Sequence, residues 1–417
     1  MEQQMNDAYD VAVIGGGIVG AAVFYKMQTR FPHLKMILIE KEAILSDHQT
    51  GHNSGVIHSG LYYKPGSLKA VNCVKGRKEL VAFAQKYGID HDVCGKVVVA
   101  ADESELPMLE SIYQTGLKNG IEGLEKIDAE GIREREPHCT GIAGLWVPVT
   151  GIIDFRQATV KMAALALEAN PDSKLALGEE VTKTSESGGL KEIKTSKGTY
   201  SARYTVFCAG LQADRLARKD GVKLREQVVG FRGDYYELTE SGKHKVNNLI
   251  YPVPNPDFPF LGVHFTRMTN GEIECGPNAV FTFKREGYGK TDFDLRDSFD
   301  ALTYGGTWRL FFKNMKFGID EYRRAFSKRR FLRTLQRLIP SLTPDDIRPG
   351  RAGVRALLLG ADGDTRDDFR IEYTGRSIHV LNAPSPAATA SLAIGGQVCE
   401  MAEKHFGLER NTAKAGA

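Results

Sequence analysis

The first forty residues place two short apolar runs on either side of a helical stretch. Residues 9–14 (YDVAVI) and 36–39 (MILI) are apolar and rich in β-branched side chains, which predicts two buried strands. Residues 18–30 have a helical composition, and Phe31-Pro32 ends that helix. Two strands joined by a helix within about 30 residues form a βαβ unit, which predicts a parallel sheet.

The later pattern is less regular. Residues 155–169 predict a helix, and residues 190–195 and 200–207 predict a hairpin leading into a buried strand. From 230 to 280 short strands with Pro, Gly and aromatic residues indicate an antiparallel sheet, and 384–406 predict a final Ala-rich helix. The pattern therefore predicts an α/β fold (α+β overall), with a Rossmann-like nucleotide-binding domain and an inserted antiparallel-sheet substrate domain.

This layout gives a discontinuous division of the chain. We assign residues 1–95, 146–228 and 345–417 to the nucleotide-binding domain. We assign residues 96–145 and 229–344 to the substrate domain. The second domain contains a basic amphipathic segment, 308–339.

Composition excludes several classes of protein. The chain has 417 residues, 42% hydrophobic and 26% charged, which is typical of a globular protein of about two domains. No uncharged apolar run approaches the ~20 residues of a membrane-spanning helix, and the polar start is not a signal peptide. Six dispersed cysteines favour a reducing compartment over a disulfide scaffold or a zinc site. We expect a cytoplasmic protein.

The net charge of +3 conceals an asymmetry. Residues 309–337 hold ten Lys or Arg and two acids, a net charge of +8, so the remainder carries −5. Phe331, Leu335 and Leu338 share one helical face, and such a helix can lie on the anionic inner face of the cell membrane. That placement would suit electron transfer to a membrane quinone. Packing within the domain is an equal alternative, and nucleic-acid binding is disfavoured.

A glycine-rich turn follows the first strand. Gly15-Gly-Gly17-Ile-Val-Gly20 supplies G-x-G-x-x-G at the start of a helix, where backbone N–H groups and the helix dipole bind a pyrophosphate. Glu40 closes the next strand twenty residues later, where an acceptor for a ribose hydroxyl belongs. Together these residues predict a dinucleotide site. Residues 50–63, which are dense in small polar residues, His and Tyr, favour a flavin over a nicotinamide.

These segments resemble a known family. Residues 9–40 and 53–66 (NSGVIHSGLYYKPG) resemble the glycine-oxidase-like FAD oxidoreductases, and among them the L-2-hydroxyglutarate oxidase/dehydrogenase family. Residues 230–236, 261–266 (LGVHFT), 276–280 and 382–390 (NAPSPAATA) fit the same family. The sequence departs from the family pattern at His52, Ala387 and Leu357, where Arg, Gly and Gln are usual.

The resemblance implies oxidation of L-2-hydroxyglutarate, a small dicarboxylate 2-hydroxy acid, to 2-oxoglutarate, with electrons passing to FAD and then to a quinone or oxygen. A 2-hydroxy acid loses hydride from C2 and a proton from its hydroxyl, which requires a base of near-neutral pKa. His264 is the preferred base, and His58 is the second candidate, with flavin contact as its more natural role.

Two carboxylates require two cationic anchors. Arg355, in Gly353-Val-Arg-Ala356, resembles the G-x-R motif that holds the substrate carboxylate in related amino-acid oxidases. Arg232 is the second choice. Tyr236, Tyr251 and Tyr63 are candidate hydroxyl donors.

The remaining candidates would hold FAD, which we expect to be bound non-covalently. The helix that follows 382–390 would direct its N-terminus at the flavin, where its dipole stabilises negative charge on the reduced ring. The candidate cofactor-binding residues are Gly15, Gly17, Ile18, Val19, Gly20, Glu40, Lys41, Thr50, Asn53, Ser54, Gly55, His58, Val181, Ala209, Gly210, Gly353, Pro386, Ala387, Ala388 and Thr389.

Three alternatives stay open. An amine oxidase of glycine or sarcosine type would need one carboxylate anchor, and a glycerol-3-phosphate dehydrogenase would need a phosphate pocket. A non-catalytic or RNA-directed flavoprotein would use the basic segment as a nucleic-acid surface.

Overall fold

A computed structural model describes residues 8–254 and 262–410. Leu261 of the L-G-V-H-F-T segment therefore lies outside the described residues, as does the chain start before residue 8. Within the described ranges the strands, in chain order, are β1 (Tyr9–Ile14), β2 (Met36–Ile39), β3 (Val56–Ile57), β4 (His91–Asp92), β5 (Lys96–Ala100), β6 (Glu125–Asp128), β7 (Ala143–Val147), β8 (Gly151–Ile153), β9 (Lys174–Ala176), β10 (Val181–Ser187), β11 (Leu190–Thr195), β12 (Thr199–Phe207), β13 (Gln227–Leu238), β14 (Leu249–Pro252), β15 (His264–Arg267), β16 (Ile273–Gly276), β17 (Val280–Phe281), β18 (Ile347–Leu359), β19 (Arg370–Thr374) and β20 (Ser377–Asn382).

The helices connect and cover these strands. In the same ranges they are α1 (Ile18–Arg30), α2 (Leu68–Tyr87), α3 (Leu106–Lys118), α4 (Ala129–Arg135), α5 (Phe155–Ala169), α6 (Ala213–Lys219), α7 (Glu240–Lys243), α8 (Leu295–Thr303), α9 (Gly305–Lys313), α10 (Met315–Ala325), α11 (Lys328–Leu335) and α12 (Ser391–Phe406). None of the helices in the described part of the chain is both long and apolar enough to cross a membrane.

The first sheet is the nucleotide-binding layer. Its central strands β20, β12, β1, β2 and β9 run parallel, and the hairpin of β10 and β11 extends it beyond β12. The predicted strands at 9–14 and 36–39 and the helix at 18–30 are confirmed with the same bounds. One face of these strands packs against α1, α5 and α12, and the other face packs with apolar residues of β10, β11 and β12. Burial on both faces explains the unbroken apolar runs.

The second sheet contains most strands of the predicted substrate domain. Its order is β17-β13-β16-β15-β14-β5-β7-β6, with β18 paired along most of β13. The predicted antiparallel texture of 230–280 is confirmed in the described residues of that range by β13 and β15–β17. Residues 347–359 belong to this sheet, because β18 pairs with β13, so the boundary proposed at 345 moves beyond 359. The division into domains otherwise stays a prediction.

The structure decides two further expectations. The last helix begins at Ser391, after the 382–390 segment, rather than at Pro384, because Pro386 disfavours helical backbone at the residue before it. The apolar face of the basic segment does not point outward: Phe331, Leu335 and Leu338 are buried in the core under the second sheet. The charged side chains of α11 are the part of that helix that faces water.

Candidate active site

One cavity of about 900 Å³ is lined by residues of both large sheets. Its size is in the upper range of small-molecule and cofactor sites. The candidate cofactor-binding residues that line it are Gly15, Gly17, Ile18, Val19, Glu40, Lys41, Thr50, Asn53, Ser54, His58, Val181, Ala209, Gly210, Gly353, Pro386, Ala387, Ala388 and Thr389. Gly20 and Gly55 are not part of this lining.

The glycine turn after β1 requires its glycines. Gly15 has φ +112°, and a Cβ there would lie 2.3 Å from the Cys208 carbonyl oxygen. A Cβ at Gly20 would lie 1.9 Å from the Gly15 carbonyl oxygen, so Gly20 lets α1 pack against β1 without lining the cavity itself. Gly17 presents bare backbone to the cavity, and a Cβ there would approach Thr50 Oγ1 at 3.3 Å.

A carboxylate and a hydroxyl lie beside this turn. The Gly16 N–H donates to Glu40 Oε2 at 2.6 Å, and the Ile18 N–H donates to Thr50 Oγ1 at 2.9 Å. Two of the amides at this turn are therefore engaged with side chains. Glu40 also accepts the Glu42 N–H on its other oxygen at 2.9 Å. These bonds hold Glu40 at the end of β2, in the position predicted for a ribose contact.

The loop before α12 closes against the histidine segment. Thr389 Oγ1 accepts the His58 N–H at 3.0 Å and donates to the Val56 carbonyl at 3.1 Å. This cross-link ties the N-terminus of α12 to β3. Pro386, Ala387 and Ala388 line the cavity in between.

The far end of the cavity carries the candidate base. His264 Nδ1 is 2.8 Å from the Gly262 carbonyl oxygen. Because a carbonyl oxygen can only accept, Nδ1 holds the proton and Nε2 keeps its lone pair. The ring stacks on Tyr251 with centroids 4.0 Å apart. Burial lowers the pKa of His264 to about 4, which is below the near-neutral value expected of the base; the imidazole is therefore neutral at physiological pH and able to accept a proton, although it is a weaker base than expected.

His58 lies at the same end and is also neutral. Burial lowers the pKa of His58 to about 3, and the charge of Lys96 acts in the same direction. The backbone of His58 is held by Thr389, whereas its side chain faces the cavity. His58, directly after β3, and His264, the first residue of β15, therefore lie close to each other although about 200 residues separate them in the chain.

The predicted carboxylate anchors divide into two groups. Arg355, Tyr251 and Tyr63 line the cavity. Arg232 does not, because its guanidinium donates to Asp234 at 2.8 Å and to the Gly289 carbonyl at 2.5 Å. Arg232 is therefore corrected to a structural role.

Tyr236 is corrected in the same way, since its ring packs on Phe331 with centroids 4.5 Å apart. Side chains alternate between the two faces of a strand, and it is Gly233 and Tyr235 of β13 that line the cavity. Tyr235 therefore takes the place that Tyr236 was expected to have.

Two further residues of this end were not singled out from the sequence. Tyr62 lines the cavity, and Lys96 lies directly behind it with Nζ 3.4 Å from the Tyr62 hydroxyl oxygen. Burial lowers the pKa of Lys96 to about 7. A lysine opening the otherwise apolar strand KVVVA was the available signal, because a charge in a buried run is rare without a reason.

The lining fits a flavin dinucleotide. The glycine turn leaves backbone where a Cβ would clash, a carboxylate ends the second strand, and a helix N-terminus lies near the histidines. Gly353 also lines the cavity, and a Cβ there would lie 2.1 Å from the His52 carbonyl oxygen. Residues from Ile14 to Thr389 thus line one cavity, which is large enough for a cofactor and a small acid.

Comparison with known proteins agrees with this geometry. The family model described as "FAD dependent oxidoreductase" matches residues 10–401. The chain therefore belongs to the family of FAD-dependent oxidoreductases, and FAD is its cofactor. The L-alpha-glycerophosphate oxidase of Mycoplasma pneumoniae, solved with FAD bound, has the same fold, with a TM-score of 0.78, 23% identity and 97% of each chain covered. A glycine oxidase from Geobacillus kaustophilus has a TM-score of 0.71 at 16% identity, covering 98% of this chain and 96% of its own.

Curated relatives narrow the family. The L-2-hydroxyglutarate dehydrogenase of Indibacter alkaliphilus is 45% identical over 95% of this chain and 100% of its own length. The mitochondrial L-2-hydroxyglutarate dehydrogenase of Homo sapiens is 42% identical over 96% of this chain and 90% of its own. Within the FAD-dependent oxidoreductases, the chain is a member of the L-2-hydroxyglutarate dehydrogenase family.

Proposed function

We propose that this protein oxidises L-2-hydroxyglutarate to 2-oxoglutarate with FAD. The observation that carries the proposal is the far end of the cavity, where a neutral histidine, an arginine and a group of tyrosines meet next to the dinucleotide cradle. The relatives that are 40–45% identical over almost the whole chain are named for the same reaction.

His264 acts as the base. Its Nε2 lone pair accepts the proton of the substrate hydroxyl, while Nδ1–H stays bound to the Gly262 carbonyl and fixes the ring. FAD, when bound, supplies the acceptor for the hydride that leaves C2. Stacking on Tyr251 keeps the imidazole plane in place through the proton transfer.

Arg355 binds the carboxylate next to the reacting carbon. Arg355 lies on β18 and lines the cavity. Burial lowers the pKa of its guanidinium, but the ordinary pKa of arginine is so high that the group stays charged. Tyr63, Tyr235 and Tyr251 lie in the same lining.

The cofactor is held along the rest of the cavity. The turn at Gly15–Gly20 and the N-terminus of α1 would bind the pyrophosphate, and Glu40 would accept a hydrogen bond from the ribose. The loop before α12 would contact the flavin. We expect acid precipitation to release the flavin, whereas flavin that stays with the precipitate would indicate a covalent bond.

An anaerobic titration followed by flavin absorbance tests the substrate. L-2-hydroxyglutarate, D-2-hydroxyglutarate, glycine and glycerol-3-phosphate are added separately to the purified protein. We expect bleaching by the L-isomer alone, because an anchored carboxylate and a fixed base accept one configuration at C2. Bleaching by glycine or glycerol-3-phosphate instead would identify one of the alternative oxidases.

We further propose that the protein docks on an anionic membrane surface and passes electrons to a quinone. The helices α8–α10 and the residue after them carry exposed apolar side chains, with Phe299 65%, Trp308 46%, Phe312 71%, Met315 60%, Ile319 48% and Phe326 64% exposed. Exposed apolar patches commonly mark interaction sites. The exposed Lys316 lies between members of this patch in the chain and would contact lipid phosphates, whereas Lys313 is paired with Asp364 at 2.7 Å.

Flotation with vesicles tests the docking surface. We expect the protein to float with phosphatidylglycerol-containing vesicles and not with neutral ones. The double variant Phe312→Ser/Ile319→Ser should lose most of this binding while keeping FAD. Charge reversal at Arg329, Arg330 and Arg333 of α11 should matter less. Equal flotation of wild type and the double variant would remove the patch from the proposal.

A further inference from the structure

Lys96 is a buried lysine at the substrate end of the cavity. It begins β5 and is 1% exposed. Its Nζ lies 4.7 Å from the ring centroid of Tyr62 and 4.6 Å from that of Tyr251, so the ammonium is held between two aromatic rings. It also lies 3.4 Å from the Tyr62 hydroxyl oxygen, to which it donates.

No carboxylate of residues 8–254 or 262–410 forms an ion pair with Lys96. The acidic group that acts on the pKa of Lys96 is the Cys73 thiol. Burial raises the pKa of that thiol to about 12, so the thiol is uncharged. A buried cation without an anionic partner is costly. Burial accordingly lowers the pKa of Lys96 to about 7, and an anion that enters the cavity beside Tyr62 would offset the cost and favour the protonated ammonium.

Three other cations of the cavity lining already have ion-pair partners. Lys69 pairs with Asp367 at 2.8 Å, Lys41 pairs with Glu286 at 2.9 Å, and Arg215 pairs with Asp297 at 2.6 Å. Arg232, the expected second anchor, is occupied by Asp234. None of these four cations is therefore left for the second carboxylate of a dianionic substrate that Arg355 holds through the first.

We infer that Lys96 supplies the second positive charge of the substrate site and selects dicarboxylates, acting through the Tyr62 hydroxyl on the carboxylate distant from the reacting carbon. Tyr62 lines the cavity, accepts from Lys96, and keeps its own O–H to donate to that carboxylate. Lys96 is thus a positioning residue. The inference rests on the proposed function, since it assigns the second carboxylate of that substrate.

The test compares two acids of equal length. L-2-hydroxyglutarate and L-2-hydroxyvalerate differ in the terminal carboxylate, which is a methyl group in the second acid. We expect Lys96→Met to lower kcat/KM for L-2-hydroxyglutarate at least about tenfold, mainly through KM, because a hydrogen bond to a charged group is lost. The value for L-2-hydroxyvalerate should change by less than about twofold. Tyr62→Phe should show the same selectivity. It keeps the aromatic packing, so it provides the test if Lys96→Met does not fold.

Lys69→Met is the matched control, because Lys69 is a second lysine whose Nζ lies over an aromatic ring, 5.2 Å from the ring centroid of Tyr63 rather than of Tyr62 or Tyr251. Equal fractional losses for both acids in Lys96→Met, or a selective loss in Lys69→Met instead, would overturn the inference. Binding of 2-oxoglutarate and 2-oxovalerate, followed by the change in flavin absorbance, gives the same comparison without turnover. If L-2-hydroxyglutarate fails to reduce the wild-type flavin, the proposed function fails, while the binding pair still decides the role of Lys96.

Discussion

Lowering the pH from 8 to 5.5 tests whether His264 is a neutral base. Burial lowers the pKa of His264 to about 4, and the positive charges of Arg355 and Lys96 act in the same direction. With that pKa about 97% of the imidazole is still neutral at pH 5.5, whereas a histidine with an ordinary pKa near 6.5 would be only about 9% neutral. We therefore expect the limiting rate of flavin reduction to fall by less than about twofold over this range.

Anaerobic stopped-flow reduction at saturating L-2-hydroxyglutarate is the assay, since saturation removes changes in affinity from the rate. A roughly tenfold loss of rate with a midpoint near pH 6.5 would refute the claim that burial keeps His264 neutral. The same lowered pKa has a consequence for stability. Between pH 6.5 and about 4 the unfolded chain binds a proton that the native state does not, so the contribution of His264 to stability is lost as the pH falls through this window.

Three substitutions and one control give further expectations. His264→Gln should slow flavin reduction by about 10²-fold or more while FAD stays bound, as measured by stopped flow and flavin absorbance; an unchanged rate would exclude His264 as the base. Gly20→Ala should lower FAD occupancy and destabilise the fold by about 1–3 kcal/mol in thermal melts, because the added Cβ meets a backbone oxygen. Asp214→Asn leaves the buried Arg285 without its anion and should cost about 3–5 kcal/mol in urea unfolding, whereas Asp364→Asn, at an exposed ion pair, should cost less than about 1 kcal/mol.

The nucleotide-binding half of the site could be predicted from the sequence, because its signals are local. The spacing of Gly15, Gly17 and Gly20 between a strand and a helix follows from backbone contacts within one βαβ unit, and Glu40 ends the next strand of the same unit. The family resemblance rests on similarly continuous segments. The class of enzyme could therefore be predicted without knowledge of long-range contacts.

The substrate half depended on tertiary structure. Alternation of side chains along β13 predicts two faces but does not say which face meets the cavity. Tyr236 was therefore expected to be a hydroxyl donor, whereas Tyr235 lines the cavity. Arg232 was expected to bind a substrate carboxylate, but in the fold it forms an ion pair with Asp234. The apolar face of α11 was equally compatible with a membrane and with a core, and only packing under the second sheet decided between them.

Lys96 shows the same division. The sequence reveals a charge at the start of an apolar strand, but its surroundings come from Tyr62 and Tyr251, which lie on other segments. Residues 58, 264 and 355 likewise reach one end of the cavity from three distant parts of the chain. Sequence by itself determined the cofactor and the class, because local backbone geometry specifies them. Only the fold determined which side chains converge on the substrate, because strand pairing between distant segments sets their distances.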